Sequence, residues 1–194
     1  MVFGNLEVTL RQLAGHGIVR RVGDVEIRRL SGAEARAWLN ELANVLVDCV
    51  AGGASVSYMS PFTHADGRRA FEPVIAEVET GRRILLAAFL DERVVGTVQV
   101  AHAPQPNQPH RGDVAKLLVH RSARRRGIAE MLMERVEVEA RNDGKTLLVL
   151  DTVTGGDAER LYARLGWNRV GVIPDYALFP DGRSCATTLF WKRV

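Results

Sequence analysis

Three consecutive arginines, Arg124, Arg125 and Arg126, stand directly before Gly127, Ile128 and Ala129. Ahead of them Val114, Ala115, Leu117, Leu118 and Val119 form an apolar run broken only by Lys116, the pattern of a strand buried on both faces. Behind them Ile128, Ala129, Leu132, Val136 and Ala140 recur at three- and four-residue steps, one face of a helix. Glu130, Glu134, Glu137, Glu139 and Arg141 occupy much of the rest. The first turn of a helix leaves backbone N–H groups without partners and carries partial positive charge. Gly127 lets a ligand approach the backbone, and small Ala129 does not crowd the same turn. With the guanidinium groups these features make an anion site suited to phosphate or pyrophosphate. The plainer alternative is a solvated basic loop ahead of an ordinary helix. The order strand, basic turn, glycine, helix favours the phosphate site.

The elements that must hold this turn can be read on either side of it. Val25 to Leu30 alternates apolar and charged residues, a half-buried strand. Ser31 with Glu34 forms a capping box for one helix over 32–50, with Ala35, Leu39, Leu42, Leu46 and Val50 on its buried face and Trp38 and Val45 beside it. Residues 55–59 are ambiguous. Residues 61–81 read as a second helical region, Phe71, Val74, Ile75 and Val78 inward, kinked or restarted at Pro73. Arg83–Leu90 and Val94–Ala101 pair as a hairpin through Asp91, Glu92 and Arg93, with Gly96 marking a bulge or close backbone approach. Pro104 to Gly112 is a loop. Asn142, Asp143 and Gly144 stop the anchor helix. Thr146–Asp151 is a further buried strand. Asp157 caps a helix over 158–165, with Gly166 at its C′ position. Two last strands, 167–173 and 184–192, are joined by a loop rich in proline, aspartate and glycine around Pro174–Tyr176 and Pro180–Gly182. Residues 1–24 read as an N-terminal extension, with Leu6, Val8, Leu10 and Leu13 as a short strand or amphipathic turn. Residues 25–194 form one domain.

At 194 residues the chain is long enough for a full core, and 46% apolar with 25% charged residues is an ordinary globular balance. The net charge of +3 accommodates an acidic ligand without requiring nucleic acid. Cys49 and Cys185, far apart and outside any CxxC pattern, suggest reduced thiols and a cytoplasmic protein. No apolar run reaches membrane-spanning length, so no membrane partner is expected, and no residue spacing suggests a metal site.

Arg124-Arg125-Arg126-Gly127-Ile128-Ala129 resembles the R/Q-x-x-G-x-G/A motif of the GCN5-related N-acetyltransferase (GNAT) superfamily, with Leu117, Leu118, Val119 and Leu132 fitting its flanks. Ala158 to Trp167 resembles the family's later A-x-x-L-Y-x-x-x-G-F segment. The element order, mixed α/β, is similar too. The resemblance implies the GNAT fold: a twisted mixed sheet of about six or seven strands flanked by about four helices, splayed where the strand ending at Val119 parts from the one ending at Asp151. It implies acetyl-CoA as cofactor, held by Leu117, Leu118, Val119 and residues 124–129, and an amine acceptor walled by the first two helices, near which His64 and Asp66 fall. For those two, surface roles are the simpler reading.

Acetyl transfer to an amine requires that an alkylammonium of pKa about 10 lose its proton. It also requires that the thioester carbonyl be polarised and the leaving thiolate protonated. The resemblance places a polarising N–H near Leu118 or Val119 and an acid at Tyr162, whose alternative is a half-buried helix residue packing beside Leu161 and Leu165. Asp151 and Asp113 are candidate bases, with turn-closing and loop-capping as alternatives, and Glu92 is a weaker candidate. Many relatives carry Asn seven residues before the tyrosine. Gly155 stands there, so cofactor holding leans more on backbone. Leu150-Asp151-Thr152 and Gly171 to Leu178 resemble the tabtoxin-resistance acetyltransferases, which implies a small amine such as an amino-acid-like toxin or antibiotic, with Asp113 and Asp151 paired and Tyr176 on a substrate loop. The competing readings are a catalytically silent CoA-binding module and a basic nucleic-acid-binding domain using residues 120–126. A lack of interleaved aromatics counts against the second. Either a monomer or a homodimer is compatible.

Overall fold

A computed structural model of the chain describes residues 21–22 and 24–194. The readings made for residues 1–20 lie outside the described residues. The elements in order are β1 (Arg21–Val22), β2 (Val25–Arg29), α1 (Gly32–Ala37), α2 (Leu39–Ala51), α3 (His64–Glu79), β3 (Arg83–Leu90), β4 (Arg93–His102) and β5 (Arg111–Val119). A short 3-10 turn (Arg121–Ala123), α4 (Ile128–Asn142), β6 (Leu147–Val153), α5 (Asp157–Arg164), β7 (Asn168–Leu178) and β8 (Ser184–Arg193) complete the fold. The sheet runs β1-β2-β3-β4-β5-β6-β8-β7. Its first strand is a two-residue bridge, so the expected mixed sheet of six or seven strands stands with one short addition.

Among the described residues only β5 and β6 pair in parallel, and they do so over Arg111–Asp113 against Leu147–Val149. Beyond Asp113 they diverge, and β6 continues instead against β8 from Leu147 to Val153. The expected splay is therefore present, and the β6-side edge of β5 from Val114 to Val119 has no strand beside it among the described residues.

Two cores lie on opposite faces of the sheet. Ile27, Ile84, Leu86, Val98, Val100 and Leu148 pack against Leu132, Met133 and Val136 of α4. Leu85, Ala87, Phe89 and Leu118 pack against Leu42, Val45 and Leu46 of α2 and Phe71 and Ile75 of α3. Each fully buried side chain of this size contributes about 1.5–3 kcal/mol. Gly96 faces the backbone of β5: a Cβ there would stand 3.0 Å from the Leu118 carbonyl oxygen, so the expected close approach is real.

Several expectations are corrected. The single helix over 32–50 is two, broken at Trp38 (φ −95°, ψ 11°), whose ring meets Phe89 edge-on at 5.1 Å. The break gives five α-helices among the described residues rather than about four. Its Ser31–Glu34 capping box is present, and a second box, Thr63–Asp66, starts α3. Pro73 neither ends nor restarts α3, which runs unbroken from His64 to Glu79. Glu139, off the apolar stripe of α4, is nonetheless buried, held by Arg135 at 2.7 Å and Arg29 at 3.2 Å. Asp157 is the first residue of α5 and makes no cap. The Gly155 N–H is satisfied by the Glu159 carboxylate instead. Residues 174–176 are not a loop but an irregularity inside β7, where the pairing with β8 shifts between Ile173 and Ala177.

Candidate active site

The splay opens into a cleft of about 820 Å³. One wall is β5, the other is the end of β6 with α5, and the floor is the turn before α4. Leu117, Leu118, Val119, Arg124, Arg125, Gly127, Ile128 and Ala129 all line it, as do Asp151 and Tyr162. Arg126 is exposed and outside the lining, and Asp113, half-buried, is also outside it.

Gly127 is the N-cap of α4 at φ +74°, a conformation costly for any residue with a Cβ. Nothing lies within 4 Å of where its Cβ would be. Glycine is thus required by the turn's conformation, while the space above it stays open. No side chain caps this helix, and the backbone N–H groups of residues 125–130 find no acceptor among the described residues. Six donors without a partner among the described residues, at the positive end of a fifteen-residue helix, make a candidate anion cradle.

The cradle is fixed from behind. Asp48 of α2 accepts hydrogen bonds from the Arg121 backbone N–H (2.8 Å) and Nε (2.9 Å). His120 Nε2 lies 3.6 Å from the same carboxylate. Burial pushes the Asp48 carboxyl up, but the Arg121 hydrogen bonds and the His120 and Arg121 charges outweigh it and hold it below the usual carboxylate range. Arg124 folds back, its Nε donating to the Val119 carbonyl at 3.2 Å. Asp48 carried no sequence signal of its own. It is an ordinary polar position on an amphipathic helix until the two segments meet.

Strand geometry decides which N–H of β5 faces the cleft. The His120 N–H donates to the Val95 carbonyl of β4 at 2.8 Å. Alternation along a strand turns the Val119 N–H the opposite way, into the splay.

Tyr162 is buried, packed between Trp167 and Phe190 with ring centroids 6.0 Å from each. Its hydroxyl bonds to no protein group among the described residues, although the residue borders the cleft. Burial, and then the negative charge of Asp151, push the phenol well above its ordinary range, so it remains protonated through neutral pH. Asp151 is exposed to the cleft, with the Thr187 hydroxyl 2.9 Å from its carboxylate. Asp113 and Asp151 both alternate with core residues, Val114 and Leu150, that point toward α4, so both carboxylates lie on the opposite face. Asp113 is in register with Val149, and the splay begins between it and Asp151. The expected pair shares a face but not a cavity.

His64 and Asp66 are structural. His64 Nε2 is 3.2 Å from the Asn40 carbonyl, and Asp66 caps α3. Glu92 sits in the β3–β4 turn at φ +58°, outside the cleft. Cys49 and Cys185 are free and buried. Among the described residues no helix is long and apolar enough to cross a membrane, and no group of three or more potential ligands is placed to hold a metal.

The fold is shared with solved acetyltransferase structures of low sequence identity. An N-acetyltransferase from Staphylococcus aureus Mu50 superposes with a TM-score of 0.73 at 19% identity, over 88% of this chain and 99% of that one. The protein yncA from Salmonella typhimurium, solved with its cofactor acetyl-CoA, gives 0.72 at 18% identity over 88% and 94%. A ribosomal-protein-alanine N-acetyltransferase from Brucella melitensis gives 0.69 at 20% identity over 87% and 99%. The sequence pattern of the Acetyltransferase (GNAT) family matches residues 53–167, more than half of the chain and the segment from the α2–α3 loop to the end of α5. With that match over the cradle, the splayed strands and Tyr162, the chain belongs to the GNAT acetyltransferase family.

Proposed function

We propose that this protein transfers an acetyl group from acetyl-CoA to the primary amine of a small molecule, with residues 25–194 as the acetyltransferase domain and residues 1–24 as an extension. Acetyl-CoA is the cofactor of the family, and when bound it supplies an activated thioester. The residues present fit it: the free N–H groups of residues 125–130 suit a diphosphate, and the cleft is long enough to pass from that turn to Tyr162. The observation that carries the reading is the unpartnered Tyr162 hydroxyl at the edge of this cleft.

In this reading the chain's own groups divide the work. The Val119 N–H donates toward a carbonyl oxygen placed in the splay, as an oxyanion-type donor. Asp151, on the cleft and exposed, accepts the proton that an ammonium must lose, directly or through water. Tyr162 holds a proton at its hydroxyl oxygen, ready for a leaving sulfur. Asp113 stands away from the cleft and 3.4 Å from Arg111, which favours Asp151 as the base.

A small acceptor, of the toxin or antibiotic kind that the tabtoxin-resistance resemblance implies, has room beside the wall formed by residues 53–57 and Phe179. A cytoplasmic protein, monomeric or homodimeric, is compatible with the free thiols. Release of CoA thiol, measured over a panel of amines, tests the proposal. Turnover on at least one small primary amine is expected. CoA binding with no turnover on any acceptor would favour the silent module. Salt-sensitive oligonucleotide binding without any response to CoA would favour the nucleic-acid reading.

A further inference from the structure

A second cavity of about 360 Å³ lies under α2 and α3, on the face of the sheet away from α4. Its floor is set by strand register. Arg83, Ala101 and Asp113 stand side by side across β3, β4 and β5, and Gln99 lies beside Ala115 in the next row. The two alanines, with Ala70 on α3, leave the volume that larger side chains would fill. Tyr58, Phe71 and Val74 make apolar walls.

Lys116 stands at the mouth. The β4–β5 pairing passes from Gln99–Ala115 to Thr97–Leu118, so Lys116 and Leu117 face Val98 alone, and Lys116 is a bulge residue at φ +53°. A bulge re-aims a side chain, and a non-glycine residue held in this region is a strain characteristic of functional sites. The bulge sends the Lys116 ammonium to the Val56 carbonyl (2.7 Å) and the Ser57 hydroxyl (2.9 Å), 5.5 Å above the Tyr58 ring. Both hydrogen-bond partners are neutral, and Lys116 has no carboxylate within ion-pair distance among the described residues. The other charges are matched. Arg83 pairs with Glu77 at 2.5 Å and donates to Gln99 at 2.9 Å, and Asp113 pairs with Arg111. The Lys116 ammonium alone among these cations makes no contact ion pair. Burial pulls it below the ordinary lysine range, and the Asp151 carboxylate, beyond ion-pair distance, offsets this only in part. Ala115, Lys116 and Leu118 border both this chamber and the large cleft, so a molecule seated here reaches the splay.

We propose that this chamber holds the acceptor and that the acceptor carries a carboxylate, paired with the Lys116 ammonium while its amine extends past β5 into the cleft. The proposal rests on the acetyltransferase reading for the amine, but the carboxylate site stands or falls separately. The Tyr58, Phe71 and Val74 walls cover an apolar middle. Lys116 is a specificity residue: it selects the anionic acceptor and touches neither the acetyl group nor the proton being moved.

The test is binding of hydrocinnamate against hydrocinnamide to the CoA-loaded protein by calorimetry, followed by thiol release with amino acids against their amides. Hydrocinnamate is expected to bind at least tenfold tighter than the amide. Lys116→Met is expected to erase that difference, and Lys116→Arg to keep part of it, with CoA affinity unchanged in both. Amino acids are expected to exceed their amides at least tenfold in kcat/KM. Equal binding of the two probes, or no binding of either, overturns the proposal even if Lys116→Met fails to fold, because the comparison is made on the wild-type protein. Carboxylate-selective binding with no amine acetylated would leave the site standing and remove the acetyltransferase reading instead.

Discussion

On the α4 side of the splay the groups proposed to meet the cofactor's phosphates and carbonyl are main-chain: the N–H groups of residues 125–130 and of Val119. On the α3 side of the same strand they are side chains: Arg83, Gln99, Asp113 and Lys116, with two alanines between them. A main-chain site takes its ligand specificity from conformation and survives wide changes in sequence, because every residue type carries an N–H. A side-chain site changes chemistry with each substitution. The first suits a cofactor common to a family, and the second suits an acceptor that varies from member to member.

The sharpest way to break the comparison is Gly127→Glu. The substitution forces a left-handed residue with a Cβ and sets a carboxylate among donors meant for an anion. CoA affinity measured by calorimetry is expected to fall more than about 100-fold. The chain should stay folded, since the space above Gly127 is empty. Retained affinity would mean that the arginine side chains, not the turn, hold the cofactor.

Tyr162→Phe comes next. Turnover is expected to fall about 100-fold with CoA affinity unchanged, the loss typical of removing one proton donor. The pH profile adds a sign. Because burial and Asp151 raise the phenol, its ionisation falls above the ordinary tyrosine range. No alkaline loss of activity below pH about 10 should therefore be traceable to Tyr162. Turnover that is unchanged in the phenylalanine variant would leave Tyr162 as a packing residue between Trp167 and Phe190.

The same contrast explains what the sequence made legible. The cradle is local: a strand, a glycine and a helix start lie within about thirty residues, and the rules for helix ends and glycine conformation need nothing more. The capping box at Ser31 and the stop at Gly144 were readable for the same reason. The chamber was not, because it depends on register across three strands. Nothing in the order of residues says that Arg83 and Asp113 flank Ala101. Lys116 was visible only as a break in an apolar run, whereas the bulge that re-aims it arises from pairing with β4. Trp38 reads as one more helical residue until its ring must meet Phe89, and Pro174–Tyr176 reads as a loop until β8 pairs on both sides of it.

Ala101→Leu sharpens the chamber side. The added side chain would stand between Arg83 and Asp113 and occupy the floor. A rise of about tenfold in acceptor KM is expected with CoA affinity unaltered, the cost of overpacking a small site being about 1–3 kcal/mol. An unchanged KM would place the acceptor wholly in the large cleft.

The smallest effect is expected at Asp48, which touches no ligand and orders the cradle through Arg121. Asp48→Asn keeps the shape but removes the charge that the Arg121 N–H and Nε groups and His120 share. A loss of about 1–2 kcal/mol in stability is expected at pH 7, with CoA affinity weaker by a few fold. The pH dependence separates this role from a purely steric one. The folded-state carboxyl is depressed below its unfolded value, so its stabilisation is complete above the unfolded value of about 3.9 and is lost as pH falls through the lower, folded one. The stability gap between wild type and Asp48→Asn, followed by thermal unfolding, should therefore be constant from pH 7 down to about 5 and close only under strongly acid conditions. A gap that persists unchanged into strong acid would assign the effect to packing of the amide. A gap that closes already near neutrality would show that a group other than the Asp48 carboxyl carries the effect.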